Sequence, residues 1–143
     1  MSLHGTYDDQ NIFAKILRGE APCVKLFEDE HVLAFMDIFP QSKGHTLIVP
    51  KEPARNLLEL SDSAAAAAIQ RVQKVARAVE TALKPDGVTV AQFNGAAAGQ
   101  TVFHIHFHVI PRWDGAEIVG HGQAAQADID DLKALADTIA AAL

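Results

Sequence analysis

Histidine alternates with large apolar residues in the segment FHIHFHV (103–109), and this alternation constrains the fold more than any other feature of the chain. Successive side chains of a β-strand point to opposite faces of a sheet. A strand stopped by Pro111 would present His104, His106 and His108 on one face, over about 13 Å. Its other face would be apolar and directed into a core, with Phe103, Ile105, Phe107 and Val109.

The remaining hydrophobic pattern predicts one domain, residues 1–143, with about five strands and three helices. Short apolar runs typical of strands cover 23–29, 31–37, 45–50, 87–93 and 101–110. Apolar residues at helical spacing cover 8–19, 61–84 and 127–143. Because strands and helices do not alternate strictly along the chain, the pattern predicts an α+β fold with an antiparallel sheet.

Each predicted helix has a recognisable end or a predicted buried face. Asp8 or Asp9 suits the start of the first helix, and Gly19 suits its end. Ser61 is predicted to cap the long helix, which ends near Lys84. The predicted inward residues are Ile12, Phe13, Ile16 and Leu17 in the first helix, Ala65, Ala68, Ile69, Val72, Val75, Ala76, Val79 and Leu83 in the second, and Ile129, Leu132, Leu135, Ala136 and Ile139 in the third.

Composition argues against two classes of partner. Twelve basic and eighteen acidic residues give a formal net charge of −6 without a Lys/Arg cluster, which disfavours sequence-independent nucleic-acid binding. No apolar run approaches the roughly 20 residues that span a bilayer, and the N-terminal segment has no secretory pattern. Cys23 is the only cysteine and suits a reducing compartment. We therefore expect a cytoplasmic protein that does not bind membranes.

The three alternating histidines have three interpretations. A solvent-exposed face is the simplest, but the strict spacing beside a small-residue loop argues against it. A catalytic zinc usually needs three protein ligands, and the outer imidazoles of a straight strand lie too far apart to share one ion. Nucleophilic catalysis on phosphorus needs an imidazole with one free nitrogen, oriented by its neighbours. The loop NGAAAGQT (94–101) favours this third interpretation, because its amides and the Gln100 and Thr101 side chains could approach phosphate oxygens.

These residues resemble the histidine-triad (HIT) family, whose hallmark is His-x-His-x-His followed by two apolar residues. The Hint-like branch is similar in three segments in the expected order: NIFAKILRGEAP, FEDEHVLAFMDIFPQSKGHTLIVPKE and FNGAAAGQTVFHIHFHVIPR. The resemblance implies a HIT-like α+β fold, a homodimer with the sheets of two subunits joined, and hydrolysis or transfer of nucleoside monophosphate groups. Residues 113–143 lie outside the resemblance, as a variable extension ending in a helix.

The resemblance also implies roles for individual residues. His106 resembles the nucleophile that forms a nucleotidyl-histidine intermediate, His108 resembles the histidine that contacts phosphate oxygens, and His104 and His45 resemble supporting histidines. Asp37 resembles the carboxylate that accepts hydrogen bonds from both ribose hydroxyls, although an Asx turn leading to Pro40 also explains it. The other nucleotide-binding residues implied are Asn94, Gly99, Gln100 and Thr101 near the phosphate and Ile12, Phe13, Ile16, Phe35 and Ile38 around the base. His4, His31 and His121 match no motif and are interpreted as surface residues.

Departures from the family pattern refine these expectations. Some bacterial relatives bind structural zinc through a Cys-x-x-Cys pair and a later histidine; here those positions are Asn11, Ala14 and Pro53. We expect no metal and no required cofactor.

His108 at the third triad position favours a hydrolase over the transferase branch, which has glutamine there. The leading hypothesis is a purine nucleoside phosphoramidase acting on AMP or GMP conjugates. The alternatives are a dinucleoside polyphosphate hydrolase and a nucleotide-binding interaction protein without turnover.

Overall fold

The computed structural model describes residues 2–143 and places five strands in one antiparallel sheet. The strands are β1 (Lys25–Glu28), β2 (Val32–Met36), β3 (Thr46–Pro50), β4 (Gly87–Ala91) and β5 (Phe107–Arg112), in the order β1-β2-β3-β5-β4. The helices are α1 (Ile12–Leu17), α2 (Asp62–Leu83) and α3 (Ile129–Ala140), with a short 3-10 helix at Ala96–Ala98. The α+β class and the five-stranded antiparallel sheet are confirmed.

Both faces of the central strands are covered. β2 and β3 are buried at every position, so neither face of the sheet is open to solvent there. On one face α2 and α3 pack over the main core, which includes Ile105, Phe107 and Val109. On the other face Phe13 of α1 packs over a smaller cluster with Leu33, Phe35, Leu47 and Val49. This smaller cluster forms the floor of the site described below.

The histidine segment differs from the straight strand that its alternation predicts. β5 begins only at Phe107, so His104 and His106 precede it on a backbone that bends at residues 102–104. Phe103 does not join the core; it is partly exposed, with the Arg55 guanidinium 5.1 Å from its ring centroid. Of the three alternating histidines, His108 alone lies within the strand.

Pro111 does not end β5, contrary to expectation, because its missing amide hydrogen is not needed there. The strand continues to Arg112, and Pro111 pairs with Val88 of β4. The Pro111 carbonyl oxygen accepts from the Ser42 hydroxyl at 2.5 Å, on the side of β3. The N–H and C=O of one strand residue point the same way, so the proline nitrogen also faces that side. The register between β3 and β5 ends at Val109, so no β3 residue pairs there.

The cap of α1 and three predicted inward residues correct the sequence-based expectations. The N-cap of α1 is Asn11, whose Oδ1 accepts from the Ala14 amide at 2.9 Å, rather than Asp8 or Asp9. Ile12 is 47% exposed, Ile69 is 53% exposed and Ile129 is 40% exposed, so none of the three is buried in the core. The predicted cap at Ser61 is confirmed, and α2 ends at Lys84 in a left-handed conformation. None of the described helices combines the length and apolar character needed to cross a bilayer.

The C-terminal extension is part of the same core. Residues 116–127 contain neither helix nor strand. The Ala127 amide donates to the Ile38 carbonyl oxygen at 2.8 Å and thereby joins the extension to the segment after β2. Beyond it, Leu132, Ala136 and Ile139 of α3 are buried in the main core. The extension therefore passes the mouth of the site before α3 anchors it.

Candidate active site

A pocket of about 600 Å³ opens where α1, the end of β2, the start of β3 and the histidine segment converge. Many of the predicted site residues line it: Ile12, Phe13, Ile16, Phe35, Asp37, Ile38, His45, Thr101, His106 and His108. A separate cleft of about 340 Å³ beside Trp113 contains none of the predicted residues. The large pocket is therefore the candidate active site.

One wall of the pocket is apolar and aromatic. The rings of Phe13 and Phe35 meet edge to face, with centroids 5.6 Å apart. Phe13 also lies edge to face against His106, with centroids 4.7 Å apart. An apolar, aromatic wall beside a polar group suits a flat heteroaromatic ligand.

His106 presents an unprotonated ring nitrogen. Its Nδ1 lies 2.7 Å from the His104 carbonyl oxygen, and because a carbonyl only accepts, Nδ1 carries the proton. Nε2 therefore keeps its lone pair. Burial lowers the pKa of His106 to about 4, so the ring is neutral at neutral pH. A neutral, oriented imidazole with a free Nε2 is the form required of a nucleophile.

Two successive hydrogen bonds determine which ring nitrogen carries the proton in His45 and in His108. The Gln41 backbone amide donates to His45 Nδ1 at 3.0 Å, which places the His45 proton on Nε2. His45 Nε2 lies 2.9 Å from His108 Nδ1 and donates to it, so the His108 proton is on its own Nε2. That Nε2 is buried and has no hydrogen-bond partner among residues 2–143. Burial lowers the pKa of His45 to about 3 and that of His108 to about 2, which keeps both rings neutral. His108 consequently offers an uncommitted N–H donor within the site.

His104 supports the site from behind rather than lining it. Its Nε2 donates to the Pro50 carbonyl oxygen at 2.7 Å, and its Nδ1 accepts from the Tyr7 hydroxyl at 2.5 Å. Burial lowers the pKa of His104. Tyr7 is a residue that the sequence did not point to, because it lies 97 positions from His104 and belongs to no motif. Through its carbonyl oxygen, His104 holds His106 in the required tautomer.

Comparison with known proteins agrees with this arrangement. A model of the HIT domain matches residues 18–115. The chain belongs to the HIT domain family. Over 122 residues it is 43% identical to Protein hit of Bacillus subtilis, covering 85% of this chain and 83% of that protein. Over 101 residues it is 48% identical to adenosine 5′-monophosphoramidase of Schizosaccharomyces pombe, covering 71% of this chain and 73% of that one.

A solved structure extends the similarity to the whole fold of this HIT domain. The crystal structure of a HIT-like protein from Bartonella henselae matches with a TM-score of 0.92 at 47% sequence identity. The match covers 97% of this chain and 100% of that one, so it includes the C-terminal extension as well as the sheet. The predicted family and the predicted HIT-like fold are both confirmed.

The loop before the triad in this HIT domain is held together by its own glutamine. The buried Gln100 side chain accepts from the Gly95 amide at 2.8 Å and donates to the carbonyl oxygens of Arg55 and Val102. It is turned inward in this structure, and its contact with a phosphate stays a prediction. Gly99 ends the 3-10 helix with a φ of 102°, and Asn94 Oδ1 accepts from the Leu57 amide. Asn94, Gly99 and Gln100 all lie outside the pocket lining, whereas Thr101 is part of it.

Asp37 fits both of its sequence-based interpretations. Its Oδ1 accepts from the Phe39 amide at 2.8 Å, which is the Asx turn. Its Oδ2 lies 3.4 Å from His45 Nε2, and the side chain lines the pocket. Burial raises the pKa of Asp37, although the hydrogen bond from the Phe39 amide opposes this shift. The carboxylate therefore keeps acceptor capacity for a ligand hydroxyl while its turn holds it in place.

His121 lines the same pocket, which corrects its interpretation as a surface residue. Its ring lies edge to face against His108, with centroids 5.3 Å apart at 87°, and tilted over Phe93 at 5.0 Å. Its Nε2 is buried and has no hydrogen-bond partner in the described part of the chain. The sequence carried no signal for this placement, because His121 lies in an irregular segment without periodicity.

Asp37, His45 and His108 could be taken for a metal site. One potential ligand atom from each lies within 4.8 Å of the others. The hydrogen-bond chain argues against a metal there, because Gln41 occupies His45 Nδ1 and leaves the proton on the Nε2 that would have to ligate. Metal ligation would require that nitrogen to lose its proton. The absence of a metal requirement stays a prediction.

Proposed function

We propose that this HIT domain is a purine nucleoside phosphoramidase, which hydrolyses the P–N bond of AMP or GMP conjugates at the α-phosphate. The observation that carries the proposal is His106, a neutral imidazole with a free Nε2 beside the unpartnered N–H of His108. The similarity to an adenosine 5′-monophosphoramidase at 48% identity supports the same reaction class.

The proposed reaction has two steps. His106 Nε2 uses its lone pair to form a bond to the α-phosphorus, and the leaving nitrogen takes the electron pair of the P–N bond that breaks together with a proton, so that it departs as a neutral amine. Water then attacks the nucleotidyl-histidine and gives up a proton, and the electron pair of the P–Nε2 bond returns to His106. The His104 carbonyl oxygen, 2.7 Å from Nδ1, stabilises the positive charge that the ring acquires in the intermediate.

The other pocket residues suit a purine ribonucleotide. His108 Nε2–H would donate to a non-bridging phosphate oxygen, with Thr101 beside it in the pocket lining. Asp37 Oδ2 would accept from the ribose hydroxyls, because a carboxylate can take two donors. The base would lie against the wall built from Phe13 and Phe35. No step requires a metal or a cofactor.

We also propose that the protein is a homodimer joined through β4. This strand is an edge of the sheet, its residues are only partly buried, and Val90 on it is 49% exposed. An open edge presents unpaired backbone groups that a second copy can satisfy by strand pairing. Sedimentation equilibrium would test this, and a monomer at micromolar concentration would refute it.

Turnover and trapping of the intermediate test the proposed reaction directly. The wild-type protein should hydrolyse adenosine 5′-phosphoramidate, and rapid acid-free quenching should reveal one AMP bound covalently per chain by intact mass. His106→Ala should lower kcat/KM by about 10⁴-fold or more, the scale of losing a nucleophile. The exposed His31 provides the matched control, and His31→Ala should behave as wild type.

The same experiment separates the alternatives. Faster turnover of diadenosine triphosphate than of the phosphoramidate would favour a dinucleoside polyphosphate hydrolase. Tight AMP binding without turnover of any substrate would favour a nucleotide-binding interaction protein. Unchanged activity in His106→Ala would overturn the assignment of the nucleophile.

A further inference from the structure

The tautomer of His106 depends on a backbone bend that strand pairing does not hold. The His104 carbonyl oxygen lies 2.7 Å from His106 Nδ1, and the chain bends at residues 102–104. The register of β5 with β3 reaches back only to Phe107, so His104 and His106 lie outside the ladder. Contacts from outside the sheet must therefore keep this carbonyl oxygen in position.

Three hydrogen bonds restrain the bent segment. The Ile105 amide donates to the Ala54 carbonyl oxygen at 2.9 Å. His104 Nε2 donates to the Pro50 carbonyl oxygen at 2.7 Å, so these first two acceptors lie at the end of β3 and just after it. The third donor is the hydroxyl of Tyr7, 2.5 Å from His104 Nδ1. Of the three restraints, this one comes from the N-terminal part of the chain.

The surroundings of Tyr7 favour donation to His104 Nδ1. The His104 ring proton is on Nε2, where it is donated to Pro50, so Nδ1 can only accept. Burial raises the pKa of Tyr7, so its hydroxyl keeps its proton at neutral pH. The two rings also meet edge to face, with centroids 5.6 Å apart at 68°. Tyr7 therefore restrains the His104 ring both by a hydrogen bond and by ring contact.

The N-terminal segment, residues 2–7, is itself anchored to a loop behind the site. The Arg55 guanidinium donates to the Thr6 carbonyl oxygen at 3.2 Å. The buried Asn56 side chain donates to the Leu3 carbonyl oxygen at 2.8 Å. Because these bonds hold the main chain of the segment, a side chain that extends from it can keep a fixed position against the triad.

Tyr7 does not contact the substrate site directly. Among the described residues, neither Tyr7 nor His104 lines the pocket, whereas His106 does. An effect of Tyr7 on the reaction must therefore pass through the ring and backbone of His104 to the ring of His106. Such an effect alters the geometry of the nucleophile and leaves the residues that bind substrate in place.

We propose that Tyr7 is a positioning residue of the catalytic site, which acts on His106 through His104. Its hydroxyl restrains the His104 ring, and that ring restrains the bend whose carbonyl oxygen keeps the His106 proton on Nδ1. The effect on turnover rests on the proposed phosphoramidase function, whereas the effect on the tautomer is present without substrate. The N-terminal segment thereby becomes part of the catalytic geometry.

Tyr7→Phe tests this role with a small change, because it keeps the ring against His104 and removes only the hydroxyl. On adenosine 5′-phosphoramidate it should lower kcat about tenfold and change KM less than about twofold. A misplacement of about 1 Å can cost about 10²-fold, and two of the three restraints remain in the variant. In nitrogen NMR of the labelled, substrate-free protein, the His106 ring should change from one tautomer to a mixture of two.

Leu3→Ala is the matched control within the same segment. The Leu3 side chain lies beside Gly95 rather than His104, and the bond from Asn56 goes to its main-chain oxygen, which the substitution keeps. This variant should retain wild-type kcat and a single His106 tautomer, although it loses packing. Thermal unfolding of both variants reports whether each one folds.

The outcomes distinguish the inference from the function on which it rests. Wild-type kcat in folded Tyr7→Phe would overturn the inference, as would a fall in kcat with the His106 tautomer unchanged. A similar loss of kcat in Leu3→Ala would reduce the role of Tyr7 to packing of the segment and also overturn it. If the wild-type protein turned over no phosphoramidate, the proposed function would fail, while the tautomers of the two variants would still decide the role of Tyr7.

Discussion

The histidines in and behind this pocket are oriented in two different ways. The first group, named here the framework histidines, comprises His45, His104, His106 and His108, whose ring protons are placed by hydrogen bonds. His121 arrives on an irregular segment and is oriented by ring packing. Each framework histidine has a ring proton held by its hydrogen bonds, whereas the Nε2 of His121 has no hydrogen-bond partner among the described residues.

This difference follows from where the residues lie in the chain. The framework histidines belong to β5, the start of β3 or the short segment before β5, where neighbouring backbone groups are close at hand. His121 lies between a strand and a helix, and the segment is joined to the loop after β2 through the Ala127 amide. Irregular segments of this kind tolerate small movements that a paired strand does not.

After the loss of the nucleophile itself, the largest effect is expected from removing the His45 side chain from the framework. His45→Ala removes the donor that fixes the proton of His108, so His108 would no longer be restricted to one tautomer. We expect kcat/KM on the phosphoramidate to fall about 10²-fold, the usual scale for losing a group that orients a catalytic residue. His45→Gln, which can place an N–H near the same position, should restore part of the loss. Equal losses in the two variants would mean that His45 acts through packing alone.

The next prediction concerns ribose recognition by Asp37, whose Oδ1 accepts from the Phe39 amide and whose Oδ2 can accept from a ligand. The wild-type protein should prefer a ribonucleotide over its 2′,3′-dideoxy analogue by about 10- to 100-fold in kcat/KM, the scale of a hydrogen bond to a charged group. Asp37→Asn keeps an oxygen for the turn with Phe39 and should narrow that ratio, mainly by slowing the ribonucleotide. Equal wild-type turnover of the two analogues would contradict this role.

The pH dependence of stability concerns the framework histidines specifically. Burial lowers the pKa of His106 from 6.5 to about 4, so between these values the unfolded chain binds a proton that the folded chain refuses. The free energy of unfolding should therefore fall as pH is lowered through this window, by up to about 1.4 kcal/mol per pH unit for each such histidine.

Urea unfolding at pH 7, 6 and 5 measures this slope, and two variants locate its source. His106→Phe keeps an aromatic ring against Phe13 and should reduce the slope by about 1 kcal/mol per pH unit. His31→Phe, at an exposed position, should leave it unchanged. A slope equal in all three proteins would show that His106 is not the titrating group.

The sequence predicted the sheet and much of the pocket because both depend on local patterns. Alternation placed Ile105, Phe107 and Val109 in the core, and family motifs led to the pocket residues Phe13, Asp37 and His45. The alternation did not predict the conformation of residues 102–106. There the backbone bends, and the His104 carbonyl oxygen contacts the ring of His106. A straight strand would hold these groups apart, so spacing alone could not reveal the contact.

Two further site residues were not predicted from the sequence, for a different reason. Tyr7 and His121 reach the site across the fold, from opposite ends of the chain, and neither belongs to a periodic segment or a motif. Gln100 was identified, but its buried position and its contacts with Gly95 and Arg55 depend on a loop whose shape no pattern encodes. Long-range packing and loop geometry account for each of these misses.

The partners of the framework histidines have a consequence for how this site can change by mutation. The Gln41 amide, the Pro50 carbonyl and the His104 carbonyl belong to the main chain, so a substitution at these positions alters the side chain but leaves the partner atom in place. Random mutagenesis should therefore find few single changes that shift the tautomers without moving the backbone. Variation in substrate choice should arise instead at His121 and Ala124, whose side chains line the pocket.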